Sequence, residues 1–115
     1  MEITRGDYKP FKFKRTRKSD GSVITDLPKE IYATFKINSH IEESLFQKKL
    51  SDNSITYSKE DNYYRFALLP EDTNNLSYDT YYFDIEVLIE DNKPRTILKD
   101  VLEVTEEYTH KVNEV

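Results

Sequence analysis

The sequence predicts an all-β protein, specifically an antiparallel β-sandwich of the immunoglobulin-like type with seven to nine strands and at most one or two short helical turns. Three observations lead to this prediction. Apolar and polar residues alternate in several short segments, turn-forming residues recur about every 8 to 12 positions, and no ten-residue segment has a helical repeat. A small β-barrel is the alternative, because a chain without cysteine or tryptophan lacks the Cys–Trp–Cys signature of immunoglobulin domains.

The first strand pair is predicted on both sides of an Asp-Gly turn. Residues 11–14 alternate two phenylalanines with two lysines, which indicates a strand with rings on one side and ammonium groups on the other. Asp20-Gly21 is a strong hairpin signal, and residues 23–25 start the return strand. The basic residues here therefore belong mainly to a solvated strand face.

The middle of the chain continues with short strands. Residues 30–38 form a strand with four apolar residues on one face, namely Ile31, Ala33, Phe35 and Ile37. Residues 39–43 fit either a loop or one helical turn, and strands follow at 45–50 and 55–57. In the next strand the inward residues are Tyr64, Phe66 and Leu68.

The last third contains the strongest strand. Pro70 begins one turn of α- or 3₁₀-helix that connects the two sheets. Five inward positions then alternate along one strand: Tyr81, Phe83, Ile85, Val87 and Ile89. In the final strand, 96–105, the apolar phase shifts between Ile97 and Leu102, which predicts a bulge near Asp100. We expect one domain, 1–109, followed by a C-terminal tail, 110–115.

Charge is distributed unevenly along this acidic chain. It has 17 basic and 22 acidic residues, a net charge of −5. Residues 1–18 contain seven basic and two acidic side chains (+5), whereas the remainder contains ten basic and twenty acidic ones (−10). A basic first segment is thus attached to an acidic body. The net charge of −5 argues against a general nucleic-acid binder.

No sequence motif identifies an enzyme, a metal site or a cofactor site. The two histidines, His40 and His110, are far apart and form no spaced ligand pair, and the acidic pairs at strand ends lack a calcium-loop pattern. Arg5-Gly6-Asp7 matches the integrin-binding tripeptide by letter, but its structural interpretation is a turn in which Gly6 takes a positive φ. We predict no catalytic residue, cofactor, nucleic-acid partner or membrane partner.

The predicted interaction surface combines basic and aromatic residues. Six tyrosines fall at outward or strand-end positions (Tyr8, Tyr32, Tyr57, Tyr63, Tyr78 and Tyr82), and tyrosine is favoured both at protein interfaces and on sugar platforms. They can equally cover the rims of a thin sandwich. The candidate surface residues are Lys9, Lys12, Lys14, Arg15, Arg17, Lys18, Tyr32 and Tyr82.

Several segments together resemble small proteins encoded by phages and prophages of Gram-positive bacteria. They are Ile3-Thr4-Arg5-Gly6-Asp7, Phe11-Lys12-Phe13, Asp20-Gly21-Ser22-Val23-Ile24, Leu45-Phe46-Gln47-Lys48, Tyr63-Tyr64-Arg65-Phe66, Pro70-Glu71-Asp72-Thr73 and Tyr81-Tyr82-Phe83-Asp84-Ile85-Glu86. The chain is more loosely similar to the N-terminal β-sandwich domain of phage baseplate upper proteins. The resemblance covers nearly the whole chain and consists of strands and turns rather than a catalytic motif.

The resemblance implies a virion structural protein of the tail, the baseplate or the head surface. Such a protein is made in the host cytoplasm without a signal peptide, and it contacts other virion proteins and copies of itself. Exposed edge strands and the +5 and −10 regions provide two ways of joining neighbours. The alternative function is a carbohydrate-binding module for host surface glycans, and a third is a prophage-encoded cytosolic regulator or inhibitor.

Overall fold

Eight strands and one short helix account for the regular structure in the described residues of the computed structural model, which are 1–38, 40, 43–90 and 93–106. The elements are β1 (Glu2–Thr4), β2 (Lys9–Phe13), β3 (Glu30–Lys36), β4 (Phe46–Lys49), β5 (Thr56–Tyr57), β6 (Tyr64–Leu68), α1 (Pro70–Thr73), β7 (Thr80–Glu90) and β8 (Lys93–Thr105). The expected all-β class is confirmed. The predicted tail and most of the segment 39–43 lie outside the described residues.

The strands form two sheets. One has five strands in the order β1-β8-β7-β3-β4, and the other has three in the order β2-β6-β5. The expectation of purely antiparallel pairing is wrong for one pair, because β1 runs parallel to β8, with Ile3 opposite Val104. After β1 the chain crosses to the other sheet as β2 instead of turning back on itself, so β1 is left as a parallel edge strand.

An aromatic layer joins the two sheets. Phe35 of β3 stacks on Phe83 of β7, with ring centroids 4.9 Å apart. Phe66 of β6 meets Phe35 edge-on at 6.3 Å, and Phe11 of β2 meets Phe83 edge-on at the same distance. These contacts put the inner faces of both sheets against one core, in which aromatic rings pack among aliphatic side chains.

The period-two pattern correctly identifies most of the inward residues, but it extends too far at two strand ends. Ile31, Ala33 and Phe35 are fully buried, whereas Ile37 is 55% exposed because β3 ends at Lys36. On β7 the inward positions are buried through Val87, while Ile89 is 43% exposed near the end of the strand. In both cases the predicted inward position is wrong because the alternation continues past the core.

The predicted bulge exists, but its position is different. Ile85 lies opposite Leu98 and Glu86 lies opposite Thr96, so the extra residue on β8 is Ile97. From Leu98 onward the alternation is regular, and Asp100 lies opposite Phe83 in an ordinary pair. The bulge near Asp100 is therefore a wrong prediction by three residues.

The Asp-Gly turn forms, but the predicted hairpin hardly extends beyond it. Gly21 has φ +73°, and the Asp20 carboxylate accepts the Ser22 N–H at 2.9 Å. Strand pairing is limited to one bridge, between Thr16 and Val23. β2 pairs instead with β6, because Phe11 and Phe13 find matching rings there: Phe11 lies 5.0 Å from Phe66, and Phe13 stacks on Tyr64 at 5.3 Å.

Candidate interaction surface

The outer face of the three-stranded sheet contains a group of basic residues. Antiparallel pairing of β2 and β6 sets Lys12 opposite Arg65 and Phe13 opposite Tyr64. Because successive side chains of a strand point to opposite faces, Lys12 and Arg65 point away from the core while Phe13 and Tyr64 point into it. Lys14 directly follows β2 and Tyr63 directly precedes β6, and their side chains lie on the same outer side.

Three cations surround the ring of Tyr63. The ammonium nitrogens of Lys12 and Lys14 each lie 4.5 Å from the ring centroid, and the guanidinium carbon of Arg65 lies 5.4 Å from it. We call Lys12, Lys14 and Arg65 around this ring the cationic cluster. Each cation is attracted by the negative face of the ring, a contact worth about 0.5–1 kcal/mol at exposed sites, while the cations repel one another.

Among the described residues, one of the three cations has an acidic partner. Arg65 forms a bidentate ion pair with Asp61. The hydrogen bond from Arg65 holds the pKa of the Asp61 carboxyl well below its usual range, and the same bond raises the pKa of Arg65. In the described part of the chain, no carboxylate lies within ion-pair distance of Lys12 or Lys14. Together with Asp61, the cationic cluster therefore carries a net charge of about +2.

An open groove of about 440 Å³ runs beside the cluster. Pro10 and Ala67, which are opposite each other in the β2–β6 register, have small side chains and leave a depression in the outer face. Tyr8, 63% exposed, stands on one side. The complete lining is Tyr8, Pro10, Phe11, Lys12, Ser54, Thr56, Arg65, Phe66 and Ala67. The groove thus has an apolar end and a cationic end.

The predicted basic surface is only partly on this face. Lys9 is half-buried, because it has the same alternation phase as Phe11 and Phe13. Arg15 is 8% exposed, and its guanidinium donates to the Asp26 carbonyl at 2.7 Å. The assignment of Arg15 to a solvated face is therefore wrong. Arg17 and Lys18 are exposed in the turn after β2, where Arg17 donates to the Ser22 hydroxyl at 3.2 Å.

The two tyrosines of the predicted surface lie on the other sheet. Tyr82 is 39% exposed and has Lys36 and Val101 as its cross-strand neighbours. Tyr32 lines a separate polar groove together with Asp84 and Glu86. The predicted surface is therefore two surfaces, one on the outer face of each sheet.

The other outward tyrosines do not form one platform. Tyr57 packs on Tyr64 at 4.7 Å, and its hydroxyl donates to Asn62. Tyr78 lies under the guanidinium of Arg5, 4.3 Å from the ring centroid. Tyr8 borders the groove described above, so the exposed rings are spread over several parts of the molecule.

Arg5-Gly6-Asp7 forms a turn fastened to α1. Gly6 has φ +84°, as its structural interpretation predicts, and its N–H donates to the buried Thr73 hydroxyl at 2.8 Å. Asp7 N–H closes the turn on the Thr4 carbonyl at 3.0 Å. Arg5 is engaged with Tyr78, and its guanidinium also donates to the Leu76 carbonyl. The tripeptide is thus part of the framework.

The sequence pattern places Tyr63 outward but does not assign Tyr63, Arg65 or Asp61 to the interaction surface. The inward phase of Tyr64 and Phe66 already implies that Tyr63 and Arg65 point outward. What the pattern lacks is the pairing of β6 with β2, which connects residues about fifty positions apart. The same phase rule, applied to Phe11 and Phe13, identifies Arg15 as inward.

The described residues contain neither a candidate metal site nor a helix long enough to span a membrane. No cluster of three or more His, Cys, Asp or Glu side chains could hold a metal ion there. The four-residue α1 is the only helix among these residues and is far too short to cross a lipid bilayer.

No protein-family model matches the chain, and no curated protein is significantly similar to it.

Proposed function

We propose that this chain is a non-enzymatic structural protein of a phage particle, built on an immunoglobulin-like sandwich and acting through protein–protein contacts in the tail, the baseplate or the head surface. The sequence resemblance along nearly the whole chain supports the phage origin. The observation that carries the contact function is the cationic cluster, with two lysines that have no acidic partner among the described residues, on an otherwise acidic protein.

Strand order supports the immunoglobulin-like topology. β2, β6 and β5 correspond to strands B, E and D of a variable-type domain. β8, β7, β3 and β4 correspond to strands G, F, C and C′ of the other sheet, and the loop between E and F contains the helical turn α1.

A hydrogen bond at the start of β7 is a second support. The Tyr81 hydroxyl donates to the Ser77 carbonyl at 2.9 Å, which is the geometry of the tyrosine corner that immunoglobulin-like domains have at the start of strand F. Phe83 follows two residues later, where antibody domains have their second cysteine. Its stacking on Phe35 supplies buried contact that a disulfide and a tryptophan supply in those domains.

The free edge of β8 is poorly suited to such contacts. β1 pairs with β8 only at residues 103–105, so in the described part of the chain one side of β8 has no neighbouring strand from Lys93 to Val101. This segment contains two lysines, Pro94 and the bulge at Ile97, all of which discourage pairing with another chain. The dispersed tyrosines, in turn, favour assembly over the carbohydrate-binding alternative.

Mass spectrometry of purified particles tests the proposal. Isotopically labelled recombinant chain is added to the lysate before purification, so that it reports non-specific carry-over. A particle component keeps its unlabelled peptides through successive gradients while the labelled peptides are lost. Equal loss of labelled and unlabelled peptides would contradict the proposed function.

A further inference from the structure

We infer that the groove beside the cationic cluster binds a short acidic segment of a partner protein, in which a carboxylate neighbours an apolar side chain. This inference rests on the proposed function and specifies the chemistry of the partner. It depends on three features: the uncompensated charge of the cationic cluster, the apolar end of the groove, and the engagement of the Tyr63 ring, which lies in the cluster beside the groove.

The uncompensated positive charge of the two lysines favours binding of an anion. Lys12 and Lys14 both lie 4.5 Å from one ring centroid, so one acidic segment can reach both ammonium groups. Without an anion their mutual repulsion is only partly offset by the ring. Charge-assisted hydrogen bonds from the ammonium groups to carboxylate oxygens would offset the rest.

The apolar end of the groove favours a bound segment with an aliphatic side chain next to its carboxylate. Pro10 and Ala67 form a shallow apolar depression. They are the next cross-strand pair on the same face as Lys12 and Arg65, two residues away along each strand. Tyr8 stands beside this depression with 63% of its surface exposed. An aliphatic residue inserted here would cover the apolar surface of all three, which is the kind of anchor pocket that dominates interfaces.

The engaged ring and the modest charge favour a peptide over other anions. Stacking of bases or sugar rings along an extended ligand uses several free aromatic faces. Tyr63 already contacts three cations, and Tyr8 is the one exposed ring among the described residues that line the groove. Polyanions such as nucleic acids gain affinity from many phosphate contacts, but this cluster offers about two free charges on a protein of net charge −5. One or two carboxylates match that number.

Titration of the ¹⁵N-labelled chain by NMR tests the inference with defined probes. The main probe is a terminally blocked hexapeptide of alternating Glu and Leu, and its control has Gln in place of every Glu. We expect the acidic peptide to shift the amide signals of residues 11–14 and 63–67. We expect the Gln peptide to bind about tenfold more weakly or less, since its contacts with the ammonium groups are uncharged.

Matched variants separate this groove from general electrostatics. The double variant Lys12→Glu/Lys14→Glu should weaken binding of the acidic peptide by about tenfold or more, whereas Arg17→Glu/Lys18→Glu, with the same change in net charge, should alter it by less than about threefold. Tyr8→Ala should weaken it by about threefold to tenfold through the apolar end, without changing any charge. The pattern of amide signals verifies that each variant is folded.

Three results would overturn the inference: equal losses in the two double variants, equal binding of the Gln peptide, or tighter binding of inorganic polyphosphate or sialyllactose than of the acidic peptide. Particle proteomics keeps the two proposals distinguishable. A chain that is found in particles but does not bind the acidic peptide overturns this inference alone. A chain that binds the peptide at the groove but is absent from particles overturns only the proposed function.

Discussion

The ammonium group of Lys48 lies 2.7 Å from the carboxylate of Asp72, and each side chain is only 11% exposed. Lys48 is on β4, at an edge of the five-stranded sheet, and Asp72 is in α1. The same Asp72 oxygen accepts the N–H of Leu69 at 2.8 Å, just before the helix begins. One carboxylate therefore fastens the start of α1 and ties the connection between the sheets to β4.

Removing this carboxylate should destabilise the fold strongly. Asp72→Ala leaves the nearly buried Lys48 ammonium without its carboxylate, and we expect the free energy of unfolding to fall by about 3 kcal/mol or more. Urea denaturation measures the change. Glu90→Ala is the control, because it breaks the exposed pair with Lys93 and should cost about 0.5 kcal/mol or less. Similar losses in the two variants would contradict this role for Asp72.

The inward residues were largely predictable from sequence because burial of one strand face produces a period of two. Tyr64, Phe66 and Leu68 follow it and are all nearly fully buried. The partner of each strand was not predictable in this way, since an alternating strand fits any other alternating strand. The pairing of β2 with β6 depends on ring contacts such as Phe13 on Tyr64, which appear only when the whole core is assembled.

Gly6 and Gly21 provide a comparison of two glycines with similar backbone. Both have φ near +80°, where an added Cβ costs about 1–2 kcal/mol. At Gly6 that Cβ would also lie 3.0 Å from the Asn74 side-chain oxygen, whereas at Gly21 it would meet nothing within 4 Å. The Gly6 N–H bond to Thr73 restricts any shift that would relieve this contact.

Gly6→Ala should therefore lower the free energy of unfolding more than Gly21→Ala, by about 1 kcal/mol. Urea denaturation of both variants gives the comparison. Combining Gly6→Ala with Asn74→Ala relieves the contact, so the cost of the alanine at position 6 should then approach its cost at position 21. An undiminished difference in the Asn74→Ala background would show that the contact is not its cause.

The candidate site was only partly predictable, because the alternation of residues does not show which strands pair. Lys12 and Lys14 were identified because they alternate with phenylalanines. Tyr63 and Arg65 come from a distant strand, so the arrangement of three cations around one ring exists only after β2 and β6 pair. Arg15 differs for a simpler reason: its charge favours solvent, but it has the inward phase of Phe11 and Phe13, and its guanidinium is satisfied by the Asp26 carbonyl.

Tyr64 should make stability sensitive to alkaline pH. Its ring is fully buried, and its hydroxyl has no hydrogen-bond partner in the described part of the chain. Burial raises the pKa of Tyr64, against a smaller lowering by Arg15. The unfolded chain therefore loses this proton at a lower pH than the folded one. The contribution is fully present below the unfolded pKa of about 10 and is lost as pH rises above it.

Tyr64→Phe removes this dependence. At neutral pH the variant should differ from the wild type by less than about 1 kcal/mol, because the hydroxyl makes no compensating hydrogen bond. Above about pH 10 the stability of the wild type should fall more steeply than that of the variant, as measured by urea midpoints across the pH range. Tyr8→Phe, at a tyrosine exposed to solvent, should run parallel to the wild type. Parallel curves for Tyr64→Phe as well would contradict the prediction.

Asp61 should restrain binding at the groove. Its carboxylate occupies the guanidinium of Arg65, so only Lys12 and Lys14 are available to an acidic ligand. Asp61→Asn removes one negative charge and the competition for Arg65, and it should strengthen binding of the Glu-Leu hexapeptide by about threefold to tenfold. Asp79→Asn makes the same change of charge at an exposed position before β7 and should leave the affinity within about twofold. Fluorescence anisotropy of the labelled peptide at two salt concentrations measures both variants. An Asp61→Asn affinity equal to that of Asp79→Asn would mean that Arg65 does not take part in ligand binding.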